Sequence, residues 1–95
     1  MYGVIATCTV KEDKIAEFEA VVGALAAAVA KDEPENKGFN VFKVRNAPGS
    51  YKILEVYTSK DGFKAHVAAP HFQAAQPKME ATFAAPMAVE MMEGL

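Results

Sequence analysis

Residues 55–72 read Glu-Val-Tyr-Thr-Ser-Lys-Asp-Gly-Phe-Lys-Ala-His-Val-Ala-Ala-Pro-His-Phe. The stretch opens at the end of a run, Tyr51 to Tyr57, that alternates in polarity and is rich in β-branched and aromatic residues, which predicts a strand. Ser59 is placed to cap a short helix in which Phe63 and Val67, four apart, share a face. Pro70 ends that helix and suits the first position of the next. A strand followed by two helices is therefore predicted. The turn between strand and helices gathers both histidines of the chain, His66 and His71, with Glu55, Tyr57, Phe63 and Phe72.

Upstream, Tyr2 to Val10 reads as a strand. Val4, Ala6, Cys8 and Val10 point one way, and Ile5, Thr7 and Thr9 the other. Neither side is strongly polar, so both faces are expected to be covered. Asp13 is the expected cap of a long helix, whose apolar stripe is Ile15, Phe18, Val22, Leu25 and Val29. Pro34 stops it. Residues 31–37 read as a charged loop, and Gly38 leads into a second strand over 39–45. Ala47-Pro48-Gly49-Ser50 carries Pro and Gly where a type II turn needs them, which joins the second and third strands as an antiparallel hairpin. Downstream, Phe72, Met79 and Phe83 form a loose helical stripe. Pro77 within it predicts a kink or two short helices. Pro86 ends the helical part, and Met87 to Met92 reads as a last strand. The order β-α-β-β-α-β predicts an α+β, ferredoxin-like fold with an antiparallel sheet.

Ninety-five residues make a single domain, 1–95. A chain so short is often marginal alone. Its composition is 52% apolar, above the usual ~45–50%. That excess, with apolar residues on both faces of the strands, predicts a homodimer packed sheet to sheet. A net charge of −2 with scattered lysines offers no field to nucleic acid or to an anionic membrane. No apolar run approaches the ~20 residues of a membrane helix. The first residues run directly into a strand pattern, so no signal peptide is expected. The lone Cys8 forms no internal disulfide and fits a reducing cytoplasm. In mid-strand it reads as an inert core thiol.

By default, His66 is a half-buried histidine at a helix edge, His71 a helix-start residue donating to a carbonyl, and Tyr57 and Phe72 core aromatics. Glu55 resists such a reading. A carboxylate inside a buried strand is costly unless it is paired, and two imidazoles follow within 16 residues. The expected pair is Glu55 with His66, which would raise the histidine's pKa and lower that of Glu55. A strand Glu beside a helix His is a workable general base. Histidines five apart across a proline are poor partners for a shared metal, so none is expected. The chain has no phosphate-binding glycine loop, dinucleotide fingerprint or nucleophile elbow.

Glu55, Tyr57, Phe63, His66, Pro70, His71 and Phe72 together resemble the signature of the antibiotic biosynthesis monooxygenase family. These are small proteins of the dimeric α+β-barrel superfamily. The resemblance implies a cofactor-independent monooxygenase that oxidises a quinol-like or phenolic aromatic with O2, with no metal, flavin or haem. It implies a pocket between sheet and helices, in which His66 is the base or proton shuttle, Glu55 its orienter and Tyr57 a hydrogen-bond donor. His71, Phe72, Phe42 and Phe63 would contact substrate. The chain departs from the family in lacking tryptophan, with Tyr57 where many members have Trp, and in carrying Phe42 where Tyr is common. Related haem-degrading members use Trp, so haem degradation is not expected. Two other readings share this corner. One is an isomerase or lyase that enolises a small polar metabolite with the same Glu–His pair. The other is a non-catalytic, small-molecule-binding or stress-associated dimer. Fold alone does not choose among them.

Overall fold

A computed structural model describes residues 1–95. Strand β1 (Tyr2–Thr9) leads through a 3-10 turn, Glu12–Lys14, into helix α1 (Ile15–Asp32). The hairpin β2 (Asn36–Lys43) and β3 (Ser50–Tyr57) follows, then α2 (Lys60–Ala68), α3 (Pro70–Glu80) and β4 (Ala88–Glu93). The sheet order is β2-β3-β1-β4 and every neighbouring pair is antiparallel. This is the ferredoxin-like α+β fold, with the helices on one face of the sheet.

The apolar stripe of α1 does what its spacing predicts. Phe18, Val22, Leu25 and Val29 are all buried, against Ala6, Cys8, Tyr51 and Ile53 from the sheet. Each such side chain taken from water stabilises the fold by roughly 1.5–3 kcal/mol. Cys8 is fully buried, and desolvation pushes its thiol up to about 11, so it is inert core. The 47–50 turn closes through Ser50 N–H donating to the Ala47 carbonyl at 3.0 Å. Gly49 takes a φ of +83°, and a Cβ there would meet the Val10 carbonyl oxygen at 2.7 Å.

Several local expectations are corrected. Asp13 lies within the 3-10 turn, and no side chain caps α1. Ser59 does occupy the N-cap of α2, but its hydroxyl makes no capping bond; its carbonyl accepts from Gly62 N–H at 3.1 Å. The supposed loop over 31–37 is shorter, because β2 begins at Asn36 and absorbs a register shift before Gly38. Helix α3 is one element that runs through Pro77 near its C-terminal end, which removes the pair of short helices from the two outcomes expected there.

Strand alternation sorts the sheet into two unlike faces. Tyr2, Val4, Ala6, Cys8, Tyr51, Ile53, Glu55 and Tyr57 turn to the helices and are buried. On the open face, Phe42, Leu54 and Met92 are 52%, 40% and 39% exposed, with Ile5 and Val56 half-buried among them. Phe42 pairs with Lys52 across the hairpin. It therefore stands on the opposite side of the sheet from the helices and does not reach the expected pocket. No helix is long and apolar enough to cross a membrane.

Candidate active site

Three segments build the corner. Strand β3 delivers Glu55 and Tyr57 to its helix-covered face. Helix α2 places His66 four residues before the break at Pro70, and α3 begins with Pro70 and His71. The third segment is the link from α1 to β2, and it brings Glu33. That link is tied down. Glu33 N–H closes the helix onto Val29, Asn36 N–H donates to the Glu33 carbonyl, and Thr58 N–H donates to the Glu35 carbonyl at 2.9 Å. The Thr58 hydroxyl also donates to the Glu35 carboxylate. Gly62 lets α2 approach, since a Cβ there would sit 2.8 Å from that of Glu35.

His66 is 2% exposed. Its Nδ1 lies 2.8 and 3.1 Å from the two carboxylate oxygens of Glu33, and His71 Nε2 lies 2.5 Å from Oε2 of the same group. His66 Nε2 faces Glu55 Oε1 at 3.9 Å, within reach of an ion pair but too long for a hydrogen bond. The Tyr57 hydroxyl donates to Glu55 Oε1 at 2.7 Å. The imidazole of His66 is walled by rings: Phe72 at 4.8 Å between centroids, Phe39 at 5.6 Å, Tyr57 at 5.7 Å and Phe63 at 6.2 Å.

The expected Glu55–His66 pair is thus a contact across a gap, and the hydrogen-bond partner of His66 is Glu33. The expected pKa directions are reversed as well. Burial raises Glu55 from 4.5 to about 7, against the Tyr57 hydrogen bond, with the Glu33 charge adding to the rise. Burial lowers His66, with Glu33 opposing. Desolvation of the charged form outweighs pairing at both groups: Glu55 has no hydrogen-bonded cation, and the Glu33 carboxylate on His66 offsets only part of the cost of burial. Tyr57 is pushed up by burial and by Glu55, so it acts only as a donor.

Glu55 and His66 border a narrow cavity of about 60 Å³ between the sheet and all three helices. Of its 13 lining residues 11 are hydrophobic, so a ligand there meets polar chemistry only at these two groups. Phe63, Phe72 and Phe39 form part of the wall. Phe72, Met79 and Met87 are shared with a more open groove of about 570 Å³ that runs toward Phe83 and Pro86. His71 does not line the cavity. It lies behind His66, beside a separate outer cleft of about 490 Å³ that it shares with Glu33.

The structure brings together Glu55, Tyr57, Phe63, His66 and Phe72 as the sequence predicted. It sets His71 one layer behind and Phe42 on the other face. Glu33 and Phe39 were missed. Phe39 was legible as a strand aromatic and Glu33 only as a loop acid before a proline. Glu33, His66 and His71 also bring their possible ligand atoms within 4.8 Å of one another, although Pro70 lies between the two histidines. Their contacts are hydrogen bonds to one carboxylate, with both histidines on Oε2 and His66 also near Oε1. A chelated divalent ion would need each atom drawn to about 2.0–2.2 Å of a common centre.

Sequence and structure comparisons give one family. The pattern of the antibiotic biosynthesis monooxygenase family matches residues 1–78. A candidate antibiotic biosynthesis monooxygenase from Caulobacter crescentus CB15 superposes with a TM-score of 0.95 at 36% identity, covering 99% of this chain and 89% of that one. A counterpart from Nitrosomonas europaea gives 0.94 at 23% identity, covering 100% and 99%. A variant of SnoaB, a cofactor-independent oxygenase from Streptomyces nogalater, gives 0.85 at 24% identity, covering 98% and 91%. No curated protein matches the chain.

Proposed function

The chain belongs to the antibiotic biosynthesis monooxygenase family, and we propose that it is a cofactor-independent monooxygenase acting on a quinol-like or phenolic aromatic. The observation that carries this reading is a pair of proton-accepting groups, Glu55 and His66, on the wall of an otherwise apolar, ring-lined cavity. The cavity of about 60 Å³ admits only the reacting edge of a ring, so the rest of the phenol lies in the adjoining groove of about 570 Å³ past Phe72, Met79 and Met87. His66, kept neutral by burial, takes the hydroxyl proton on Nε2. The phenolate gives one electron to O2, and the phenoxyl radical and superoxide combine through a new carbon–oxygen bond. The peroxide takes the proton back. The ring carbon then loses its hydrogen as the O–O bond breaks, leaving a quinone and one water for each O2 consumed. Phe39, Phe63 and Phe72 exclude water, and Tyr57 holds Glu55 in place. Glu55, with its pKa near 7, is a second proton acceptor beside Nε2.

Purified protein supplied with a dihydroxynaphthalene is expected to consume O2 and form quinone without added metal, flavin or haem. Turnover that vanishes with a chelator, or that requires flavin, would sink the reading. Conversion of a non-aromatic metabolite without oxygen uptake would favour the isomerase. We also propose that a second copy covers the open sheet face at Phe42, Leu54 and Met92, burying more than ~2,000 Å² in total as obligate interfaces do. Sedimentation is expected to show a dimer at micromolar concentration, and Leu54→Glu a monomer. A wild-type monomer under those conditions removes the argument.

A further inference from the structure

The proposed oxidation uses only one edge of the His66 ring. The other edge is the most highly organised polar feature in the molecule. Glu33 receives both imidazoles on one carboxylate that is itself 9% exposed. Two independent sets of bonds hold it there: the α1–β2 link, fixed by Val29, Asn36 and Thr58, and the histidines themselves. We propose that Glu33 is the positioning residue that makes His66 a base, with His71 as the anchor that holds the Glu33 carboxylate. The proposal rests on the oxidation reading above for its functional consequence, although its geometric content does not.

A carboxylate can only accept, so the Nδ1 that faces it must carry the hydrogen. The neutral ring is then the Nδ1–H tautomer, and the lone pair is left on Nε2, the atom that faces Glu55 and the cavity. When Nε2 takes the substrate proton, the positive charge forms in a site where burial opposes it. The only anion within hydrogen-bonding distance of the ring is Glu33, at 2.8 Å. It compensates that charge without taking the proton, which stays on His66 until the peroxide reclaims it. This is the logic by which a buried carboxylate serves the histidine of a hydrolytic triad. His71 Nε2–H, donating to Oε2 at 2.5 Å, keeps that oxygen from swinging into the outer cleft. The groups that face His66 are Glu55 and Tyr57 from β3, Glu33 from the α1–β2 link and His71 from α3. Of these, Glu33 alone is hydrogen-bonded to the ring.

Two measurements test the proposal, and one needs no turnover. Nitrogen-resolved NMR of the wild-type protein at neutral pH is expected to show His66 as the Nδ1–H tautomer. The Nε2–H tautomer would overturn the proposal. In oxygen uptake with a dihydroxynaphthalene, Glu33→Gln is expected to lower kcat by about 100-fold, of the order of a general-base contribution, with KM changed less than about twofold. His71→Gln, which keeps a donor, should retain most of the rate, whereas His71→Ala should lose about tenfold and show a mixture of His66 tautomers. A Glu33→Gln protein with wild-type kcat overturns the proposal, and so does a loss that appears in KM alone. If Glu33→Gln does not fold, the wild-type tautomer and the two His71 variants still decide. A wild-type protein that oxidises no phenol retires the oxidation reading and the catalytic role with it, while the tautomer measurement separately decides the positioning.

Discussion

Strand β3 carries two tyrosine–glutamate pairs on the same face, six residues apart, and they behave in opposite ways. The Tyr51 hydroxyl donates to Glu19 on α1 at the solvent edge, where Lys43 also reaches the carboxylate at 3.3 Å. The Tyr57 hydroxyl donates to Glu55 inside the corner. Hydrogen bonds from Tyr51 and Lys43 hold Glu19 below its ordinary pKa. Glu55 receives the same kind of bond and still rises to about 7. Chemistry and strand are shared, and the solvent differs. Water and a lysine keep Glu19 charged at no cost, whereas the apolar surroundings of Glu55 penalise its charge more than one hydroxyl can repay. A carboxylate that gives up its charge near pH 7 is useful to proton transfer. One that stays ionised at the surface only ties α1 to the sheet edge.

The contrast breaks most completely at His66. His66→Ala leaves the Glu33 and Glu55 carboxylates without their shared imidazole, and is expected to cost on the order of 3 kcal/mol of stability together with 10²-fold or more in turnover, roughly. Urea melts beside oxygen-uptake assays measure both. Unchanged stability and turnover would make the corner merely architectural.

Glu55→Gln sharpens the comparison through pH. Between pH 4.5 and about 7 the folded chain holds a proton on Glu55 that the unfolded chain has released. Stability therefore falls as pH rises through this window, by roughly 3 kcal/mol in all at ~1.4 kcal/mol per pH unit. His66, lowered by burial, slopes the other way: its contribution is lost as pH falls below 6.5. Glu55→Gln should remove the first slope and leave the second, so that the variant gains on the wild type with rising pH up to about 7. A constant difference across pH 4.5–8 would mean that Glu55 does not titrate with folding. The same change at Glu19 should act in the opposite sense and weakly, since that carboxylate is in water.

The smallest effects separate the two hydroxyls. Tyr57→Phe removes the one bond that favours the Glu55 anion, so the carboxylate should titrate above 7, at a stability cost of about 1–2 kcal/mol. Tyr51→Phe should cost less than about 1 kcal/mol and leave the Glu55 titration and turnover as they were. Carboxylate-resolved NMR titrations of the two variants decide whether the pairs differ as described.

Much of the corner was legible in order along the chain. Alternation in β3 put Glu55 and Tyr57 on one face, helical spacing put His66 beside Phe63, and Pro70 marked where the second helix starts. Phe42 was misplaced because the hairpin register, with Phe39 opposite Glu55 and Phe42 opposite Lys52, decides which β2 residues share the face of Glu55. Glu33 was invisible as a site residue because nothing in Lys31 to Lys37 distinguishes it from its charged neighbours. Its role comes from α1 ending where α2 meets α3.

The sequence by itself determined the periodic quantities: which residues alternate, which form a helical stripe, and where prolines and glycines end an element. These follow from local backbone geometry, and so does the ferredoxin-like order of elements. Only the tertiary structure decided which acid meets which histidine, and on which side of neutrality each group titrates. Glu33 reaches His66 across 33 residues, and Glu55 holds its proton to about pH 7, because pairing and desolvation depend on what surrounds a group in space.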